Sequence, residues 1–192
     1  MRTATRIFAL FTLSLPALAS AHTGDHSLGG FAAGFAHPLL GADHLAAMLA
    51  VGLWGALSEP RWPQAARAPL VFALALVAGA SLALFSGWVP PGVEPGIAVS
   101  LLGLGLLVAW RVPLPQPVGL ALVGVFALMH GAAHGTELQG AWALAGMVSA
   151  TLLLHGAGLV FGLLLRPTAM RWSEGLGAAL MTFGALRLAG VL

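Results

Sequence analysis

The sequence predicts an all-α protein: a polytopic membrane helix bundle of about six transmembrane helices behind a cleavable signal peptide. Three observations predict it. Hydrophobic residues make up 59% of the 192-residue chain and charged residues only 7%, whereas a soluble domain carries about 25% charged residues. The mean hydropathy is +0.95. The apolar residues fall into runs of roughly the 20 residues a membrane span needs. Short connectors rich in Pro and Gly separate them, among them EPRWPQAARAP, WVPPGVEPG, RVPLPQP and RPTAMRW.

Residues 1–21 have the three parts of a secretory signal: Arg2 and Arg6, the apolar run IFALFTLSLPALA, then Ala19-Ser20-Ala21. Cleavage after Ala21 makes His22 the new N-terminus and places it outside the cytoplasm, with the signal's style pointing to a bacterial inner membrane. Residues 22–192 are then a single transmembrane domain, with spans near 30–57, 68–88, 95–111, 118–136, 139–165 and 174–191. The first and fifth exceed the roughly 20 residues required. Pro38 is a natural break point in the first, because proline lacks the backbone N–H a helix interior uses.

Arginine placement tests this topology independently. With the mature N-terminus periplasmic, the loops at 58–67, 112–117 and 166–173 face the cytoplasm. Arg61, Arg67, Arg111, Arg166 and Arg171 lie in or beside them, as the positive-inside rule requires. The outward loops at 89–94 and 137–138 contain no Arg, and only Arg187, near the end of the last span, is left over.

Composition also excludes function classes. All eight basic residues are Arg. Without the leader they balance the acidic residues, and no basic cluster exists for nucleic acid to bind. The absence of Cys rules out disulfides, thiolate metal sites and iron–sulfur clusters. Small-xxx-small pairs such as Gly30/Gly34 and Gly158/Gly162 predict close helix packing. Trp54, Trp62, Trp88, Trp110, Trp142 and Trp172 fall near expected span ends, where interfacial aromatics belong.

The residues that carry chemistry interrupt this apolar background. The octet HPLLGADH, 37–44, sets His37, Asp43 and His44 in the first span. An Asp at a helix centre costs roughly 2.5–3.5 kcal/mol on insertion scales, so such groups mark function, and imidazole with carboxylate is a metal ligand set. On an unbroken helix Asp43 lies about 100° round from His44. One ion then reaches all three residues only if the helix breaks or another span shares it. The fourth span ends in MHGAAHGTE. Its His130, His134 and Glu137 share one helix face, an arrangement that can bind a divalent cation. His155 lies deeper, in the fifth span. The topology puts both clusters towards the outer face with His155 further in, although His155 alone also reads as a hydrogen-bonded packing residue. His22 and His26, in HTGDHS, form either a second, external capture site or a solvated terminus.

The run HPLLGADHLAAMLAVGLWG, 37–55, closely resembles the signature of the HupE/UreJ family, small membrane proteins associated with hydrogenase and urease systems. The resemblance extends through the signal peptide, the His-containing mature terminus, the six spans and the H-G-x-x-H-G-x-E segment at 130–137. The spacing H-x5-D-H differs by one residue from the H-x4-D-H motif of nickel/cobalt transporters. The resemblance implies a nickel permease, with cobalt as the second choice of ion. It assigns metal binding to His37, Asp43 and His44, and less directly to His130, His134 and Glu137. It implies no catalytic activity and no prosthetic group, since the divalent metal is the substrate; zinc and copper suit the same ligands. The implied partners are the ion, the lipid bilayer and hydrogenase or urease maturation proteins. Two rivals remain at this point: a haem- or di-metal-binding redox protein using facing histidines such as His44 and His130, and an accessory protein that binds metal without transporting it.

Overall fold

The computed structural model describes residues 30–111, 114–138, 140–166 and 169–192. The expected signal peptide, His22 and His26 lie outside the described residues. Every regular element described is helical: α1 (Gly30–Leu40), α2 (Ala42–Ser58), α3 (Trp62–Ala65), α4 (Arg67–Ser86), α5 (Val93–Trp110), α6 (Gln116–Glu137), α7 (Ala141–Leu165) and α8 (Ala169–Leu188). The protein is an all-α membrane helix bundle.

The first expected span is two helices that meet at 81°. The break falls at Gly41, which is extended (φ −82°, ψ 110°), and not at Pro38. Pro38 sits in the last turn of α1, where the N–H it lacks costs one helical bond near the helix end. The chain closes one further bond, from the Gly41 N–H to the His37 carbonyl at 3.2 Å, before it turns. Helix α2 then starts from the Gly41 carbonyl, which accepts the Leu45 N–H at 2.9 Å.

Among the described residues, four stretches are long and apolar enough to cross a membrane: Trp62–Ser86, Val93–Trp110, Gln116–Gly135 and Ala141–Leu165; the bent α1–α2 pair supplies a fifth. The sixth expected span falls on α8, which at 20 residues is about 30 Å long. Its sequence carries Arg171, Glu174 and Arg187, and these charges separate it from the others by hydropathy.

Glycines set how closely the helices approach. A Cβ on Gly34 would lie 1.8 Å from the Ala143 carbonyl oxygen, and one on Gly146 would lie 2.0 Å from that of Phe31, so α1 and α7 touch backbone to backbone. Gly52 and Gly158 do the same for α2 and α7, at 2.1 Å from the His155 oxygen and 2.2 Å from the Leu49 oxygen. Gly79 with Gly131 joins α4 to α6, and Gly105 with Gly177 joins α5 to α8. Lipid offers no hydrophobic drive for helices to associate, so small residues that permit close contact carry the packing. Gly34 and Gly158 match the expected small-residue pairs, but Gly30 has room, with its nearest neighbours at 3.7 Å.

The bundle is apolar outside and partly polar within. Leu74, Phe85, Leu153 and Leu164 are exposed, whereas His130, His134, Thr151 and His155 are buried. Trp62, Trp88, Trp110, Trp142 and Trp172 are exposed near helix ends, as interfacial aromatics should be. Trp54 departs from that expectation: it is buried, because its ring packs against the open face of Gly119.

The two ends of the bundle differ. At one end the Arg166 guanidinium donates to the carbonyls of Ala56, Glu59 and Pro60, Arg67 donates to Gln116, and Arg111 donates to Ser173. The other end gathers the α1–α2 break, the start of α5 and the ends of α6 and α8. Arg187 is the arginine described there.

Candidate metal centre

The break at Gly41 decides where the octet points. It lets His37 and His44 face α6 from two different helices. His37 Nε2 is 3.1 Å from Glu137 Oε2, and its ring meets the His134 ring edge-on at 4.6 Å. His134 Nδ1 lies 3.5 Å from the same Glu137 oxygen. His37, His134 and Glu137 therefore offer three ligand atoms all within 4.8 Å of one another. Glu137 lies beyond the membrane-spanning part of α6, and the contact with His134 lowers its pKa against the opposing effect of partial burial. It is a carboxylate at neutral pH.

His44 continues the cluster inward. Its ring is 4.2 Å from that of His134 and 4.9 Å from that of His130. His130 is one turn deeper on α6, and its Nδ1 is 2.9 Å from the Phe126 carbonyl oxygen. Phe72, from α4, lies against both His130 and His155, with ring centroids at 5.6 and 5.0 Å. His155 Nδ1 is 2.7 Å from the Met48 carbonyl oxygen, which ties α7 to α2 at the Gly52/Gly158 crossing. The rings thus form a continuous file from the bundle end into its core. Side-chain exposure is 57% at Glu137 and 31% at His37, but only 12% at His44 and 1% at His134.

The hydrogen bonds select a tautomer. Carbonyl oxygens only accept, so His130 and His155 must each carry a proton on Nδ1 and leave Nε2 as a lone pair. Those two Nε2 atoms, together with His44 Nε2 and His134 Nε2, are buried without a protein hydrogen-bond partner. A buried polar atom left unpaired costs about 1–3 kcal/mol. Several of them on one file match metal-binding imidazoles, whose other ring nitrogen is typically anchored by a carbonyl or carboxylate.

Asp43 is placed differently from the other octet residues. Its Oδ1 accepts the His44 backbone N–H at 2.9 Å and lies 2.8 Å from His44 Nδ1. Its Oδ2 accepts from Arg187 at 2.7 Å. The structure thus brings His37, His44, His130, His134, Glu137 and His155 into one series, with Asp43 behind His44. Sequence reasoning missed two neighbours of the series. Arg187 had a signal, as the arginine left over from the topology. Phe72 had none, since it is one apolar residue among many in its span.

Comparison with known proteins agrees with the pattern. The family model described as HupE / UreJ protein matches residues 10–187. The chain is 38% identical over 188 residues to "Protein HupE" of Rhizobium leguminosarum bv. viciae, covering 94% of this chain and 92% of that protein. No solved structure matches.

Proposed function

The chain belongs to the HupE/UreJ family, and from that membership and the histidine file we propose that it is a permease importing a divalent transition-metal ion. Nickel is the first choice of ion and cobalt the second. The observation that carries this reading is the file of rings that leads from a half-exposed carboxylate through His37, His134, His44 and His130 in successive contacts, with the Phe72 ring between His130 and the buried His155. His37, His134 and Glu137 replace water around the incoming ion, His44 and His130 receive it, and His155 is the inner station. Neighbouring sites of similar chemistry let an ion move by exchanging one ligand at a time. Multiple weak sites also permit exit, as conduction requires.

The arginine-rich end of the bundle faces the cytoplasm in this reading, and the histidine end faces the periplasm across the inner membrane. Moving two charges through 100 mV then supplies roughly 4.6 kcal/mol, twice the single-charge value. His22 and His26 serve as a capture site ahead of the cluster. The imported ion supplies hydrogenase or urease maturation proteins. A haem-binding alternative requires a macrocycle between facing imidazoles, and the edge-on contact of His44 with His130 at 4.9 Å disfavours it.

The test is metal uptake into proteoliposomes by the full-length protein, comparing Ni, Co, Zn and Cu. Wild type is expected to show saturable uptake with nickel preferred. His44→Ala is expected to lower uptake at limiting nickel by about tenfold or more, the scale on which disturbed metal shells lose affinity. Normal nickel uptake by His44→Ala would overturn the assigned route. A metal-binding protein that moves no ion would be an accessory protein instead.

A further inference from the structure

Arg187 contributes to the site without being able to bind a cation. Its Nη2 lies 2.7 Å from Asp43 Oδ2 and 3.7 Å from Glu94 Oε2. Asp43 is buried, and its other oxygen is engaged by the His44 backbone N–H at 2.9 Å and by His44 Nδ1 at 2.8 Å. One carboxylate oxygen therefore serves His44 and the other serves Arg187. A carboxylate oxygen only accepts, so His44 carries its proton on Nδ1, which leaves Nε2 as the lone pair. That Nε2 is buried and unpaired, and the His44 ring faces those of His130 and His134.

We propose that Arg187 is a positioning residue: it holds Asp43 so that Asp43 fixes the tautomer and ring orientation of His44, and Asp43 acts as an anchor rather than a metal ligand. The proposal rests on the permease reading and deepens it. Arginine suits this task because its guanidinium keeps its charge in a partly buried setting and gives a directional, charge-assisted bond. Carboxylates behind metal-binding histidines set ring orientation and basicity, and losing such a partner typically costs 10–100-fold in metal affinity. Helix α8, which provides no histidine, is thereby coupled to the metal path. The geometry also accounts for an arginine at the end of the bundle where the positive-inside rule expects few.

Two measurements on the full-length protein test this. In proteoliposomes, Arg187→Gln is expected to raise KM for nickel by about 10–100-fold. Arg187→Lys should recover much of that loss, because an ammonium still neutralises Asp43. The double variant Arg187→Gln/Asp43→Asn should be no worse than Asp43→Asn alone, since Arg187 acts only through Asp43. In metal-free protein with 15N-labelled histidine, the His44 ring is expected to be a single Nδ1–H tautomer in wild type and Arg187→Lys, and a mixture in Arg187→Gln.

A wild-type His44 carrying its proton on Nε2 overturns the proposal, even if Arg187→Gln fails to fold. So does a double variant whose losses multiply, or an Arg187→Lys protein no better than Arg187→Gln. If wild type transports no metal but His44 shows the expected tautomer shift, the permease reading fails and the positioning role stands.

Discussion

Replacing His134 with alanine is expected to abolish saturable nickel uptake. His134 is the junction of the file: its ring meets His37 at 4.6 Å and His44 at 4.2 Å, and its Nδ1 lies 3.5 Å from Glu137. In the proposed route the substitution takes one ligand from the outer group and the bridge to the inner one. At limiting nickel the loss should reach about 100-fold or more, since a ligand should count for at least as much as the orienting partners behind it. Nickel uptake in proteoliposomes and equilibrium binding to purified protein both report it. His134→Gln, which keeps much of the volume, separates lost ligation from lost packing and should remain inactive while folding normally. Uptake within a few-fold of wild type in either variant would remove His134 from the route.

The second large effect is on the fold and reaches the site through it. Gly52→Ala places a Cβ 2.1 Å from the His155 carbonyl oxygen and 2.8 Å from the Leu159 backbone nitrogen. Neither is a flexible side-chain end, so α2 and α7 must move apart. Overpacking of this kind costs about 1–3 kcal/mol, occasionally more. It also strains the bond between His155 Nδ1 and the Met48 carbonyl, which spans the same pair of helices. Thermal unfolding in detergent should show a lower midpoint, and uptake should fall even below that temperature. Gly156→Ala is the control: it lies on α7, the other helix of the crossing, with nothing within 4 Å of its Cβ, so it should be neutral or slightly stabilising. Equal effects from the two variants would show that the crossing is not what glycine serves at position 52.

Much of this was legible in the chain. Hydropathy placed the helices to within a few residues, because a span must be long and apolar wherever it packs. The expected 118–136 is observed as Gln116–Glu137, and the expected 139–165 as Ala141–Leu165. The polar residues of the site stood out because lipid makes any ionisable group conspicuous. The last span was less clear. Its charges lower its hydropathy, and at least one of them, Arg187, is spent on a partner in another helix.

The arrangement of those groups was not legible. Periodicity on a straight helix separates Asp43 from both histidines, and only the bend at Gly41 shows how the octet divides. His37 goes to the outer group, His44 goes to the file, and Asp43 turns to Arg187, 144 residues away. Phe72 is unremarkable in sequence because an apolar residue in a span carries no mark of which neighbours it meets. What the sequence by itself determined is that this is a helical membrane protein of one family with histidines and carboxylates in its spans, since composition and local motif depend on residue type alone. Only the tertiary structure decided which of them touch, because glycine-set helix crossings and one 81° bend bring together side chains from four helices that share no local pattern.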